Sequence, residues 1–266
     1  IITIPSRHVP QLIDGLGARG VKAAIVISGG FRESGEAEGA ALEKALLEAA
    51  HRRGVRLVGP NCIGVINPYA RFNTTVHPFG QPPGKVGLAS QSGTYVTQVL
   101  PYLAQHGWGF SKAVSMGNSA DLTIVDGLDY LAGDDESSAI ALYIEGLRDG
   151  RAFLEAARRA SAKKPVVALY VGGSEAGARA VASHTGAMAG SDLIHEGAFR
   201  QAGVVRAADV EGLYGMAYAL AHLPPMRGPR VGVVTNSGGP AVSIADAVQR
   251  QGLKLPAFSD GLRKRL

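Results

Sequence analysis

Apolar residues in this chain fall into short, β-branched runs separated by stretches with helical spacing, and the two kinds of segment alternate from end to end. Ile1–Ile4, Val21–Ser28 and Val55–Val58 read as strands. Helices are expected over Val9–Arg19 and from about Gly35 to Arg53, where Leu42, Ala45, Leu46 and Ala49 share one face and Gly54 supplies the stop. A second alternation starts with the strand Lys85–Ala89 and passes through Ser90-Gln91-Ser92-Gly93-Thr94 into a helix of about a dozen residues from Tyr95. It continues with strands at Lys112–Met116, Ser138–Ile144 and Pro165–Val171, and helices through Leu131, over Arg151–Ala162, near Leu193–Gln201 and over Val210–Leu223. His195 and His222 are expected at the surface of those last helices. Arg230–Pro240 then opens a third strand-turn-helix, with the helix over Ala241–Arg250 and Gly252 as its stop.

Tyr69–Gly84, rich in Pro and Gly and without periodicity, reads as a linker, and Pro224–Pro229 as another. The expected fold is therefore α/β, with tandem parallel-sheet domains at residues 1–80 and 84–225 and the start of a third at 229–266. No Gly-rich strand-turn-helix precedes Ile1, and too little follows Gly252 to complete a domain. The pattern thus predicts that the first domain lacks its opening half and that the third is incomplete.

Composition narrows the class. Hydrophobic residues at 46% and charged residues at 18% of 266 describe a folded globule, not a disordered or fibrous chain. The single Cys62 excludes an intrachain disulfide, and no Cys/His cluster has zinc-ligand spacing, so a reducing, cytoplasmic setting without a protein-bound metal is expected. No apolar run is long enough to span a bilayer, and the N-terminus lacks the plan of a signal peptide. The net charge of +5 is spread thinly, with its densest run, Arg263-Lys264-Arg265, at the very end; this argues against a nucleic-acid partner and suits an anionic small molecule. Many of the 36 glycines follow strand-like runs, where a missing Cβ lets backbone N–H groups approach a ligand.

Chemistry-bearing residues cluster at the predicted carboxyl ends of strands, where parallel sheets bind ligands. Gly59-Pro60-Asn61 forms a turn in which Asn61 offers both a donor and an acceptor. Ser92 is placed to cap the next helix, either as a plain cap or as part of a phosphate site at the helix N-terminus, with Gly93 allowing close approach. Glu145 ends the strand Ser138–Ile144, either to orient a histidine across the sheet edge or simply solvated. His184 sits in Gly172–Gly190, a stretch of small residues read as a loop; it is either an incidental surface histidine or one that other elements can reach.

The ordered set of Ile27-Ser28-Gly29-Gly30-Phe31-Arg32-Glu33, Gly59-Pro60-Asn61-Cys62-Ile63-Gly64-Val65, Ser90-Gln91-Ser92-Gly93, Tyr143-Ile144-Glu145-Gly146, Ser183-His184-Thr185-Gly186-Ala187 and Thr235-Asn236-Ser237-Gly238-Gly239 resembles the NDP-forming acyl-CoA synthetases, relatives of the succinyl-CoA synthetase α subunit, over nearly the whole chain. The resemblance implies a Rossmann-like CoA-binding domain followed by a flavodoxin-like domain whose histidine is phosphorylated. It implies that His184 is that histidine, that Glu145 hydrogen-bonds its imidazole, and that Gln91, Ser92, Gly93, Thr94, Thr185 and Gly186 hold the phosphoryl group. It further implies that Ser28, Gly29, Gly30 and Asn61 lie along CoA. The implied reaction joins a small carboxylic acid, CoA and ATP to give acyl-CoA, ADP and phosphate in either direction through an acyl phosphate. ATP and Mg²⁺ would be handled by an ATP-grasp subunit or domain whose pattern is not visible here, and the assembly would be an oligomer. Two other readings compete. One is a non-ligase CoA- or acyl-CoA-sensing domain of a protein lysine acetyltransferase-like protein, in which the histidine is typically replaced. The other is a dinucleotide-dependent oxidoreductase, for which a G-x-G-x-x-G turn is missing.

Overall fold

The computed structural model describes residues 1–78, 82–185 and 191–265, in two compact units, Ile1–Leu223 and Pro224–Leu266. In the first part of the larger unit, α1 (Val9–Ala18), β1 (Ala23–Ile25), α2 (Ala37–Arg53) and β2 (Arg56–Val58) follow the expected alternation, and β1 pairs in parallel with β2. Ile2 contributes one parallel bridge to Val26 in place of a full strand. Val9 and Ile13 of α1 and Leu46, Ala49 and Ala50 of α2 bury against Val26, Val55 and Leu57, which is the core this alternation exists to close.

The second part is built on one sheet of β3 (Val65–Asn67), β4 (Phe72–Asn73), β5 (Val86–Ser90), β6 (Phe110–Ser115), β7 (Ala139–Ile144), β8 (Val166–Tyr170) and β9 (Val205–Arg206). The spatial order is β4-β3-β6-β5-β7-β8-β9, parallel from β6 to β9 with β3 and β4 added as an antiparallel hairpin on the β6 edge. Counted within this domain, the parallel strands run 2-1-3-4-5, the flavodoxin-like order. Strands β5, β7 and β8 are buried at every residue, which is why they read in sequence as unbroken apolar runs rather than alternating ones.

The helices α3 (Thr94–Thr97), α4 (Leu100–Gln105), α5 (Ile124–Gly133), α6 (Gly150–Ser161), α8 (Asp192–Ala202) and α9 (Val210–His222) cover both faces, while α7 (Glu175–Thr185) lies against the turn Arg32–Ser34 of the first domain. Ile124, Leu128 and Leu131 of α5 and Phe153, Ala156, Ala157 and Ala160 of α6 fill one face, while Val96, Leu103, Leu213, Tyr214, Ala217 and Tyr218 fill the other. Starts are capped where the sequence supplies the oxygen. Thr123 and Asp126 form a capping box on α5, and Asp149 accepts from the Ala152 amide at 2.9 Å at the start of α6.

Several sequence expectations change. The stretch read as a linker, Tyr69–Gly84, contains β4, held because Asn67 and Phe72 pair across a short turn. The helix expected from Tyr95 is split into α3 and α4, since Pro101, near the start of α4, has no N–H to continue the ladder. The histidine stretch is helical from Glu175 to Thr185: its alanines favour helix more strongly than its few Gly and Ser residues oppose it. His195 is buried, its ring stacked on Tyr170 at 3.7 Å, instead of lying on the surface. The two-residue β9 is too short to leave a periodic signal.

In the smaller unit, α10 (Gly238–Arg250) and α11 (Asp260–Arg263) form, but the expected strand before α10 is reduced to a single parallel bridge between Arg230 and Lys254. With no flanking strand among the described residues, Val234 remains exposed.

Candidate active site

From β5 the chain crosses to β6 on one side and then returns to β7 on the other, so a crevice opens between the carboxyl ends of β5 and β7. Gln91 follows β5 and Glu145 follows β7, and the two loops are clamped together. The Gln91 side-chain oxygen accepts the Glu145 and Gly146 amides at 2.6 and 3.0 Å, and its nitrogen donates to the Gly146 carbonyl at 2.9 Å. One carboxamide thus satisfies three backbone groups of the turn that presents Glu145. Glu145 itself is only 5% exposed. Burial and the nearby Glu145 charge both raise the pKa of Tyr143, two residues earlier on the same face, and the Tyr143 ring packs on Tyr95 at 4.3 Å.

Beside this clamp the Ser90–Thr94 turn closes on itself. The Ser90 hydroxyl donates to the Ser92 carbonyl at 2.7 Å and accepts the Ser92 amide at 3.2 Å. The helix cap is Gly93, not Ser92 as expected, and no side chain caps α3. Gly93 is needed for packing as well as for access: a Cβ there would stand 3.0 Å from the Ile63 side chain. A cavity of about 170 Å³ adjoins the clamp, lined in part by Gln91, Ser119, Ile124, Gly146, Leu147 and Arg148. His184 falls in the last turn of α7. Its side chain, that of Thr185, and Gly186 altogether lie outside the described residues, so the expected contact between His184 and Glu145 does too.

On the other side of the crevice the second domain is bonded to the first. The loop after β6 runs along the end of β2: Asn118 and Ala120 donate backbone N–H groups to the carbonyls of Pro60 and Gly59 at 2.9 and 3.0 Å. Gly117, at φ +52, lies so close that a Cβ would stand 2.2 Å from the Pro60 oxygen. Asn118 is the hub of this junction. Its side-chain nitrogen donates to Glu33 at 2.5 Å and Glu43 at 2.8 Å, and its oxygen accepts from Asn61 at 3.3 Å. Two guanidinium groups, Arg32 and Arg148, lie 3.7 and 3.6 Å from the same Glu43 oxygen. Burial first, and then the neighbouring Arg32 charge, lower the Arg148 pKa from its ordinary value, against the pull of Glu43. The sequence reading missed Asn118, Glu43 and Arg148. Only Asn118 carried a usable signal, a polar residue after a strand-ending glycine.

The proposed CoA residues divide. The Ser28 hydroxyl donates to the Ile4 carbonyl at 2.5 Å, and the Gly30 amide to Glu33 at 2.6 Å, so both groups are occupied within the protein. Gly29 and Asn61 face each other across the ends of β1 and β2, and a Gly29 Cβ would stand 3.2 Å from a Glu33 carboxylate oxygen and 3.4 Å from the Asn61 side-chain oxygen, so the backbone comes close to both side chains there. Among the described residues no group of His, Cys, Asp and Glu is arranged to hold a metal ion. No described helix is long and apolar enough to cross a membrane.

Residues 83–220 match the succinyl-CoA ligase like flavodoxin domain, and residues 1–68 match a CoA binding domain. The chain belongs to the NDP-forming acyl-CoA synthetases of the succinyl-CoA ligase superfamily. Among these synthetases, it is 46% identical over 255 residues to the α subunit of acetate–CoA ligase [ADP-forming] II of Pyrococcus furiosus, covering 96% of this chain and 55% of that subunit. It is 44% identical to acetate–CoA ligase [ADP-forming] I of Archaeoglobus fulgidus, covering 97% of this chain and 37% of the relative. A solved structure of an acetyl-coenzyme A synthetase from Ca. Korarchaeum cryptofilum, in complex with phosphate and ADP, superposes with a TM-score of 0.92 at 39% identity and covers 99% of this chain and 56% of that one. The chain therefore spans about half, or less, of these synthetases. The expected tandem of a Rossmann-like CoA-binding domain and a flavodoxin-like domain holds. The sensing-domain alternative finds no support among these relatives, which are named as ligases.

Proposed function

We propose that the complete protein interconverts a small carboxylic acid, CoA and ATP with acyl-CoA, ADP and phosphate, passing through an acyl phosphate and a phosphohistidine at His184. The observation that supports this most directly is the buried Glu145 held by Gln91 at the switch point of a flavodoxin-like sheet. A carboxylate there accepts an N–H from an imidazole brought to the crevice, fixing the tautomer whose other nitrogen attacks phosphorus. His184 then carries the phosphoryl group from the acyl phosphate to ADP or back, splitting one transfer into two. The amides at Gly93 and Thr94, the Ser92 hydroxyl and the remaining N–H of Gln91, together with Thr185 and Gly186, stabilise the phosphoryl oxygens. Gly29 and Asn61 would hold CoA, which supplies the thiol that takes up the acyl group.

ATP and Mg²⁺ belong, on this reading, to an ATP-grasp subunit or domain, and the working enzyme is an oligomer that includes it. A reducing, cytoplasmic setting suits a chain whose one thiol, Cys62, is buried and pushed up to about 12. The test is to incubate the protein with its ATP-grasp part, Mg²⁺ and ATP, and separately with acetyl phosphate, and to map acid-labile phosphate by mass spectrometry. Phosphate on His184 is expected, and its loss in His184→Asn with CoA affinity unchanged; an active enzyme with no phosphate at His184 refutes the mechanism.

A further inference from the structure

The junction between the two domains leads directly into the turn that presents Glu145. Arg148 lies three residues beyond Glu145 on the loop clamped by Gln91, and its guanidinium leaves that loop for the first domain. It donates to the carbonyls of Ala120 and Asn118 at 3.1 and 3.4 Å and meets Glu43 of α2 at 3.6 Å. Glu43, only 5% exposed, also accepts from Asn118, which bonds Glu33 and Asn61; Glu33 in turn accepts the Gly30 amide. A continuous line of charge-assisted contacts thus runs from the Gly30–Asn61 edge of the first domain to the Glu145 turn of the second. The charges balance within it: Glu33 and Glu43 against Arg32 and Arg148. Remove Arg148 and Glu43 keeps the Asn118 amide and Arg32 but loses one of its two guanidinium neighbours, while the loop beyond Gly146 loses the Arg148 anchor to both the β6 loop and α2.

We propose that Arg148 is a positioning residue that ties the placement of Glu145 to the CoA-binding edge of the first domain. This rests on the phosphohistidine reading above. A lysine in its place keeps the charge but not the planar fork that reaches carbonyls and carboxylate together.

The test uses the full enzyme with its ATP-grasp part and compares wild type, Arg148→Lys and Arg148→Met. Phosphorylation of His184 from ATP, kcat, KM for CoA and melting temperature are measured for each. Misplacement of a catalytic carboxylate by about 1 Å predicts that Arg148→Met slows phosphorylation and kcat about 10- to 100-fold. KM for CoA is expected to stay within about threefold, because Gly29 and Asn61 are untouched, and Arg148→Lys to recover part of the rate. Combining Arg148→Met with Glu43→Gln is expected to cost less than the product of the two single losses, since both act through one contact. Phosphorylation of Arg148→Met at the wild-type rate overturns the proposal while leaving the phosphohistidine reading intact. So does a loss that follows the melting temperature and is not eased by lysine. If wild type itself carries no phosphate on His184, the functional reading falls and this proposal with it.

Discussion

Replacing Gln91 by Leu isolates the clamp that holds Glu145, because the two side chains have similar volume while leucine offers no polar atom. The substitution removes the acceptor for the Glu145 and Gly146 amides and the donor to the Gly146 carbonyl. At about 1 kcal/mol net for each neutral hydrogen bond, three bonds amount to about 3 kcal/mol. Gly146 is only half-buried, so water restores part of this, and about 2–3 kcal/mol is the expected loss. A cooperative unit of this size shifts by about 2–4 °C per kcal/mol, giving a fall in Tm of about 4–12 °C. Function should suffer more than stability: freed of its clamp the Glu145 turn relaxes, and His184 phosphorylation slows about 100-fold even well below Tm. Gln91→Glu separates the two effects, for it keeps an acceptor for both amides but turns an oxygen onto the Gly146 carbonyl; it should fall between wild type and Gln91→Leu. The assay pairs scanning calorimetry with the rate of acid-labile phosphate incorporation. A Gln91→Leu protein that melts within 1 °C of wild type, or phosphorylates at its rate, would show that the clamp does not govern Glu145.

Three further outcomes are expected. Glu145→Gln should slow phosphorylation by about 10²–10³-fold with little change in CoA affinity, read from single-turnover kinetics and calorimetric titration; an unchanged rate removes Glu145 from the mechanism. Burial raises the Asp134 pKa, but its hydrogen bonds to Lys112 and Ser137 outweigh this and hold it below 3.8. Its stabilisation is therefore complete above 3.8 and lost as pH falls through the lowered value, so Asp134→Asn should flatten the acid limb of Tm against pH, and a parallel limb would exclude this contact. Gly117→Ala combines a positive φ with a Cβ placed 2.2 Å from the Pro60 oxygen. Backbone strain alone is worth about 1–3 kcal/mol, so denaturant unfolding should show at least that loss, and an unchanged midpoint would mean the β6 loop is not seated on the first domain.

What the sequence determined by itself is the alternation of elements and the identity of the residues at the strand ends. Both are legible for a local reason. Strands buried on both faces must be apolar at every position, as in Val166–Tyr170, and the turns that follow them carry Gly, Ser or Asn because backbone must come close to a neighbour or a ligand. Glu145 and the Ser90–Gly93 turn could be placed at carboxyl ends on that ground alone. Local pattern misleads where two local tendencies compete, as in Glu175–Thr185, whose glycine and serine suggest a loop while its alanines form a helix. Only the tertiary structure decided which strands are neighbours, and everything about the site depends on that. Gln91 meets Glu145 because β5 lies beside β7, with β6 on the other side, and the β3–β4 hairpin joins the second sheet because β6 has a free edge for it. Glu43, Asn118 and Arg148 come from a helix, a strand end and a loop far apart in the chain, each ordinary in its own neighbourhood. A charge pair across two domains leaves no periodicity to read, since its geometry exists only once both sheets have formed and docked.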